Sequence, residues 1–113
     1  MNFHPHDMEQ LAQHFKILGE PARLQILSTL CDQERSVQDI CQQTGLHQAN
    51  ASKHLRMMKD AGVVACRKKG VWRYYRIVAP EVLSLCLKAQ RSLKQVETKT
   101  PLVPNKSQME AVE

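Results

Sequence analysis

The sequence predicts one mainly helical domain with a single β-hairpin, in the order α-α-α-α-β-β-α, and three observations predict it. Apolar residues recur at helical spacing before residue 62, β-branched and aromatic residues dominate the next stretch, and helical spacing returns after residue 80. The 113 residues are enough for one hydrophobic core and too few for two. We therefore expect a single folded domain over residues 1–97.

The first two helices are predicted on either side of a glycine. Met8, Leu11 and Phe15 follow the spacing of one helix face, and Gly19 ends that helix. The second helix begins at Pro21, because a proline in the first turn lacks only an N–H that would have no helical partner. Its apolar stripe extends to Cys31 in this prediction.

Two short helices follow, joined by only a few residues. Ser36 and Asp39 have the spacing of a capping box, with Asp in place of the usual Glu or Gln, and predict a third helix that ends near Gly45. A fourth helix runs from there to Gly62. Two short helices with a glycine in the connection form a helix-turn-helix pattern.

A β-hairpin is predicted over residues 63–78, where the sequence reads VVACRKKGVWRYYRIV. Its KKG segment supplies the turn, so Arg67, Lys68 and Lys69 lie at or near the tip. A helix-turn-helix followed by a basic hairpin predicts a winged helix, in which the hairpin is the wing.

The last helix is predicted to begin at Pro80, and its apolar stripe is wider than one small core needs. Part of that stripe is therefore expected to face a partner. Residues 98–113 contain two prolines and show no periodicity, which predicts a disordered tail.

A winged helix suits duplex DNA, because the second helix of the pair fits the major groove while the wing follows the backbone. On the fourth helix, Ala51, Leu55 and Met58 point inward and leave a polar outer face. Asn and Gln pair with adenine there, and Lys and Arg with guanine. The net charge of +5 agrees with a polyanionic partner. The residues predicted to contact DNA on this face are Gln48, Asn50, Ser52, Lys53 and Arg56.

Other function classes have little support in the sequence. No run approaches the roughly 18 apolar residues of a membrane-spanning helix, and the N-terminus lacks a signal-peptide pattern, so a cytoplasmic protein without membrane contact is expected. No grouping typical of an enzyme is visible. The four cysteines form no Cys-x-x-Cys, and neither a cofactor nor a metal site is predicted, although His4, His6 and His14 leave metal binding open.

The segments LGEPARLQIL, SVQDICQQTGLHQANASKHLRMMKDAGVV and RKKGVWRYYRI resemble, in order and spacing, the ArsR/SmtB family of bacterial winged-helix repressors. The resemblance covers about residues 15–85. It implies a homodimer through the first and last helices that binds an inverted-repeat operator, and releases it when an inducer binds or a thiol pair oxidises. By position it also implies that DNA is contacted by Gln48, Asn50, Ser52, Lys53 and His54, and by the wing residues Arg67, Lys68, Lys69, Arg73 and Tyr75.

The resemblance also bears on the signal that such a repressor senses. Arsenic-responsive members carry three cysteines before the recognition helix, where this chain keeps only Cys41, so that site is predicted to be absent. Metal-sensing members use Asp and His on the last helix, and residues 79–96 contain neither. Relatives that sense sulfide or oxidants pair a cysteine of the second helix with one of the last. Cys31 and Cys86 lie on the corresponding elements, although not at the usual positions, and are the candidate thiol sensor.

Three questions stay open at the level of the sequence. His47 stands where the family usually has a serine N-cap, which puts about 1 kcal/mol of helix stability in doubt. His54 is either a partly buried histidine bonded to backbone or a DNA contact. The main hypothesis is a dimeric repressor, and the alternative, favoured by the missing metal sites, is an architectural or accessory DNA-binding protein without a ligand.

Overall fold

The computed structural model describes residues 4–99, and within them it confirms the predicted fold class. The helices are α1 (Pro5–Leu18), α2 (Pro21–Thr29), α3 (Val37–Thr44), α4 (Gln48–Asp60) and α5 (Pro80–Lys99), and the strands are β1 (Arg35–Ser36), β2 (Val64–Lys69) and β3 (Trp72–Ile77). The chain divides into two compact units between Leu83 and Ser84. The predicted tail lies outside the described residues, except for residues 98 and 99, which complete α5.

The boundaries of α1 and α2 follow the predicted signals except at one end. Gly19 caps α1 with a backbone bond to the carbonyl of Lys16, and Pro21 stands in the first turn of α2. The prediction that α2 extends to Cys31 is wrong, because Leu30 already leaves helical geometry as the C-cap residue. Cys31 therefore lies after α2 rather than on it.

Local capping explains how α3 and α4 come so close together in the chain. The hydroxyl of Ser36 accepts the backbone N–H of Asp39 at 3.1 Å, which confirms half of the predicted capping box. Gly45 takes a left-handed φ of 78° at the end of α3, a conformation that costs glycine nothing. The chain thus turns sharply, and α4 begins at Gln48. His47 is the N-cap residue of α4 and makes no side-chain capping bond.

The wing is a three-stranded antiparallel sheet in the order β1-β3-β2. The predicted hairpin is formed by β2 and β3, and Gly70 has a φ of 64° in the two-residue turn between them. Strand β1 is an addition that the sequence did not predict: Arg35 pairs with Tyr75, and Ser36 pairs with Tyr74. It joins the start of α3 to the wing.

The core of the first unit lies between the helices and the inner side of the wing. The predicted inward face of α4 is confirmed, because Ala51, Leu55 and Met58 are fully buried. The largest fully buried side chains are Ile17, Ile26, Ile40, Leu55, Met58 and Val63. This packing fixes which face of α4 remains outside. Among the described helices, none is long and apolar enough to cross a membrane.

Candidate nucleic-acid interface

The outer face of α4 and the wing line one concave surface, here called the α4–wing concavity. From α4 it is lined by Gln48, Ala49, Ser52, Lys53 and Arg56. The wing contributes Val71, Arg73 and Tyr75, and the start of α3 contributes Val37 and Gln38. The structure therefore brings together four of the predicted residues of α4 with two of the wing.

Helical spacing accounts for the α4 side of the concavity. Gln48, Ser52 and Arg56 are four residues apart and form one row, and Ala49 and Lys53 form the adjacent row. The row of Gln, Ser and Arg presents donors and acceptors, while the small Ala49 leaves the backbone accessible. Asn50 is exposed but does not line the concavity.

The strand register divides the basic residues of the wing between two faces. Lys68 stands opposite Arg73, and Cys66 stands opposite Tyr75. Directly paired residues share a face, and side chains alternate along each strand. Lys68 and Arg73 are therefore on the same face as Tyr75, which is the face of the concavity. Both are exposed and positively charged.

Arg67 and Lys69 are on the opposite face of the wing, where Arg67 already has a partner. Its guanidinium lies 2.8–2.9 Å from the carboxylate of Glu34, and its Cζ lies 5.0 Å from the centre of the Tyr74 ring. The bonds from Arg67 hold the pKa of Glu34 below its usual range. Glu34 thus neutralises Arg67, while the exposed Lys69 stands opposite Trp72.

Tyr75 is mainly a core residue. Only 6% of its surface is exposed, and the remainder packs among the buried side chains while one edge lines the concavity. Burial raises the pKa of Tyr75, so its hydroxyl stays neutral at ordinary pH. Tyr75 therefore contributes to the concavity as a largely buried lining residue and not as an exposed contact.

His54 points to α2 and is not among the residues that line the concavity. Its Nδ1 accepts a hydrogen bond from Nε of Arg23 at 3.2 Å. Burial, together with the nearby positive charge of Arg23, lowers the pKa of His54. The sequence left a backbone bond and a DNA contact open for this residue, and the structure gives it a side-chain partner 31 positions away.

The four cysteines are free thiols in this structure. Cys31 is exposed and belongs to the first unit, whereas the half-buried Cys86 belongs to the second. Burial raises the pKa of the Cys86 thiol. Cys41 is half-buried on α3. Within the part of the chain that the structure describes, no three His, Cys, Asp or Glu side chains are grouped as metal ligands would be.

Comparisons with known proteins match the region that builds this surface. A family model described as "Bacterial regulatory protein, arsR family" matches residues 20–65. The HTH-type transcriptional regulator Rv0081 of Mycobacterium tuberculosis is 38% identical over 86 residues, which are 75% of each chain. The crystal structure of M. tuberculosis Rv0081 has a TM-score of 0.72 and 35% identity, and the match covers 85% of this chain and 96% of that one.

Two further relatives are similar over most of their length. The solution structure of the homodimeric winged helix-turn-helix DNA-binding domain Mb0332 from Mycobacterium bovis has a TM-score of 0.70 and 32% identity, covering 82% of this chain and 88% of that one. The arsenical resistance operon repressor of Bacillus subtilis is 32% identical over 81 residues, 69% of this chain and 75% of that one.

Proposed function

Because the chain belongs to the arsR family of bacterial regulatory proteins and is a DNA-binding transcriptional regulator rather than an enzyme, we propose that it acts in the cytoplasm as a dimeric repressor. The observation that carries this proposal is the α4–wing concavity, in which a polar helix face meets Arg73 of the wing, with Lys68 paired to Arg73 on the same face of the sheet. A helix and a hairpin arranged in this way can contact base edges and phosphates at once.

In this proposal α4 enters the major groove and the concavity face of the wing follows the backbone. Gln48, Lys53 and Arg56 contact base edges, and each good bidentate pair adds about 1–3 kcal/mol of discrimination. Lys68 and Arg73 contact phosphates, which position the protein without reading sequence. Arg67 can contact DNA only if its ion pair with Glu34 breaks. His54 contributes to DNA binding through its hydrogen bond with Arg23 rather than by contacting a base.

Dimerisation is supported by exposed apolar side chains on α1 and on α5. Met8, Leu11 and Phe15 follow one face of α1 and are 40–54% exposed. On α5, Leu85, Leu87 and Leu93 are 43–68% exposed. We propose that both helices contribute to a two-fold interface of a homodimer. The similar domain Mb0332 is homodimeric. A two-fold protein fits an inverted repeat whose half-sites are about one helical turn apart.

Release from the operator is the second part of the proposal, either by an inducer or by modification of Cys31 and Cys86. Thiol reactivity follows exposure and the fraction of thiolate. Cys31 is exposed, whereas burial raises the pKa of Cys86, so an oxidant is expected to reach Cys31 first.

Binding to the region upstream of its own coding sequence tests this function against the architectural alternative. We expect affinity about 10³-fold or more above that for random DNA of equal length, with affinity for both DNAs falling as salt rises. Equal affinity for the upstream DNA and for random DNA, with only the salt dependence, would favour an architectural protein.

The same binding assay after mild oxidation tests release from the operator, with Cys31→Ser as the control that should stay bound. Loss of binding that is equal in both proteins would exclude Cys31 as the sensor.

A further inference from the structure

One guanidinium, that of Arg23 in the first turn of α2, contacts two other helices at once. Its Nη1 donates to the carbonyl oxygens of Lys16 and Ile17, at 3.2 Å and 3.3 Å, in the last turn of α1. Its Nε donates to Nδ1 of His54 at 3.2 Å, and its Nη2 lies 3.4 Å from the sulfur of Met57. Arg23 thus joins the end of α1 to the middle of α4.

The α4 end of this bridge lies next to the proposed base contacts. His54 and Met57 are three residues apart on one face of α4, and each directly follows a residue that lines the concavity, Lys53 or Arg56. A helix moves as a unit, so a shift at His54 displaces both cations. Recognition groups must be held within about 0.5 Å of their working geometry, which makes the bridge relevant to DNA binding.

We propose that Arg23 and His54 are positioning residues that fix how α4 presents Lys53 and Arg56 to the base edges. This inference rests on the proposed function. The other end of the bridge is the last turn of α1, the helix whose exposed apolar face is proposed to contact the second copy. The bridge therefore connects the dimer contact to the helix that reads DNA.

The protonation state of His54 decides whether Arg23 can bond to it, which is one of the two contacts that Arg23 makes with α4. Arg23 can only donate, so Nδ1 of His54 must carry a lone pair, and an imidazolium there would face a guanidinium. The charged groups that act on His54 are Arg23 and Glu20 from α2 and its N-cap, and Lys53 from α4. Burial and the two cations lower the pKa of His54, whereas Glu20 opposes them.

The sign of the pH dependence follows from this lowered pKa. The neutral histidine and its bond are fully present above the ordinary histidine pKa of about 6.5. Stability then decreases as the pH falls from there to the lowered pKa of His54, because the unfolded chain binds the proton more readily. The bond between Arg23 and His54 is lost as the pH falls through that lowered pKa, and the preference for operator DNA is expected to fall with it.

The test compares binding of operator and random DNA by the wild type, Arg23→Lys and His54→Gln. Arg23→Lys keeps the charge but loses the fork that reaches two helices. We expect it to lower the operator preference about tenfold, as much as losing one base contact, with affinity for random DNA unchanged. His54→Gln keeps an acceptor without titrating, so its operator preference should stay flat from pH 8 down through the pKa that an NMR titration gives for wild-type His54, whereas that of the wild type falls there.

Two outcomes would overturn the positioning role: an operator preference in Arg23→Lys equal to that of the wild type, or pH profiles that coincide for the wild type and His54→Gln. A wild type without operator preference would instead contradict the proposed function.

An NMR titration of His54 without DNA distinguishes failure of the bridge from failure of the proposed function, because it does not depend on DNA binding. In Arg23→Gln the pKa of His54 should rise toward its ordinary value, and an unchanged pKa would overturn the bridge itself.

Discussion

Replacing Phe15 with Glu is expected to make the protein monomeric and to weaken operator binding by about 100-fold or more. Phe15 is 54% exposed and is the most exposed of the three large apolar residues on the apolar face of α1, Met8, Leu11 and Phe15. A carboxylate at a buried two-fold contact would face its own copy, and neither charge would have a partner. A monomer keeps one half-site contact and loses the gain from binding two at once.

Gln13→Glu is the matched control for this change. It adds the same charge to the same helix at an exposed position two residues away, which a helix places on nearly the opposite side. Light scattering should give twice the chain mass for the wild type and the control, and the single chain mass for Phe15→Glu. A Phe15→Glu protein that remains dimeric and binds the operator normally would exclude α1 from the interface.

Leu55→Ala is expected to lower the free energy of unfolding by about 2–5 kcal/mol. Leu55 is fully buried in the core on the inner face of α4, so its truncation leaves a cavity beneath the helix that carries the proposed base contacts. That loss is a large fraction of the roughly 5–15 kcal/mol that holds a typical domain folded. Urea denaturation followed by circular dichroism measures it directly.

Ser52→Ala serves as the control for Leu55→Ala, because it removes one atom from the exposed face of the same helix. We expect its unfolding free energy to stay within about 0.5 kcal/mol of the wild type. If Leu55→Ala cost no more than this control, α4 would not be anchored in the core through its inner face.

Much of the fold could be predicted because its signals are local. The capping residue Ser36, the left-handed Gly45 and the periodicity of α4 all act within a few positions of the structure that they specify. Strand β1 escaped prediction because two residues are too few to show an alternating pattern. The end of α2 was misplaced because the apolar Leu30 and Cys31 continue the stripe after the backbone has left the helix.

The candidate site was less predictable because its decisive contacts are distant in sequence. Residue types identified the basic residues of the wing, but only the strand register separates Lys68 and Arg73 from Arg67. The partner of Arg67 is Glu34, 33 positions away, and the partner of His54 is 31 positions away in α2. No periodicity or spacing rule relates such pairs.

The central claim is that the outer face of α4 reads bases, and a pair of lysines on that helix tests it most directly. Lys53 lines the concavity, whereas Lys59 is also exposed on the same helix but does not line it. The measurement is the affinity of Lys53→Ala and Lys59→Ala for a set of operators that each carry one base-pair change.

We predict that Lys53→Ala abolishes the preference at one position of each half-site, a loss of about 1–3 kcal/mol of discrimination, and leaves the other positions unchanged. Lys59→Ala should keep the wild-type preference at every position. If both variants instead weakened binding to all operators alike, Lys53 would contact only the backbone and the claim that this face of α4 reads sequence would be contradicted.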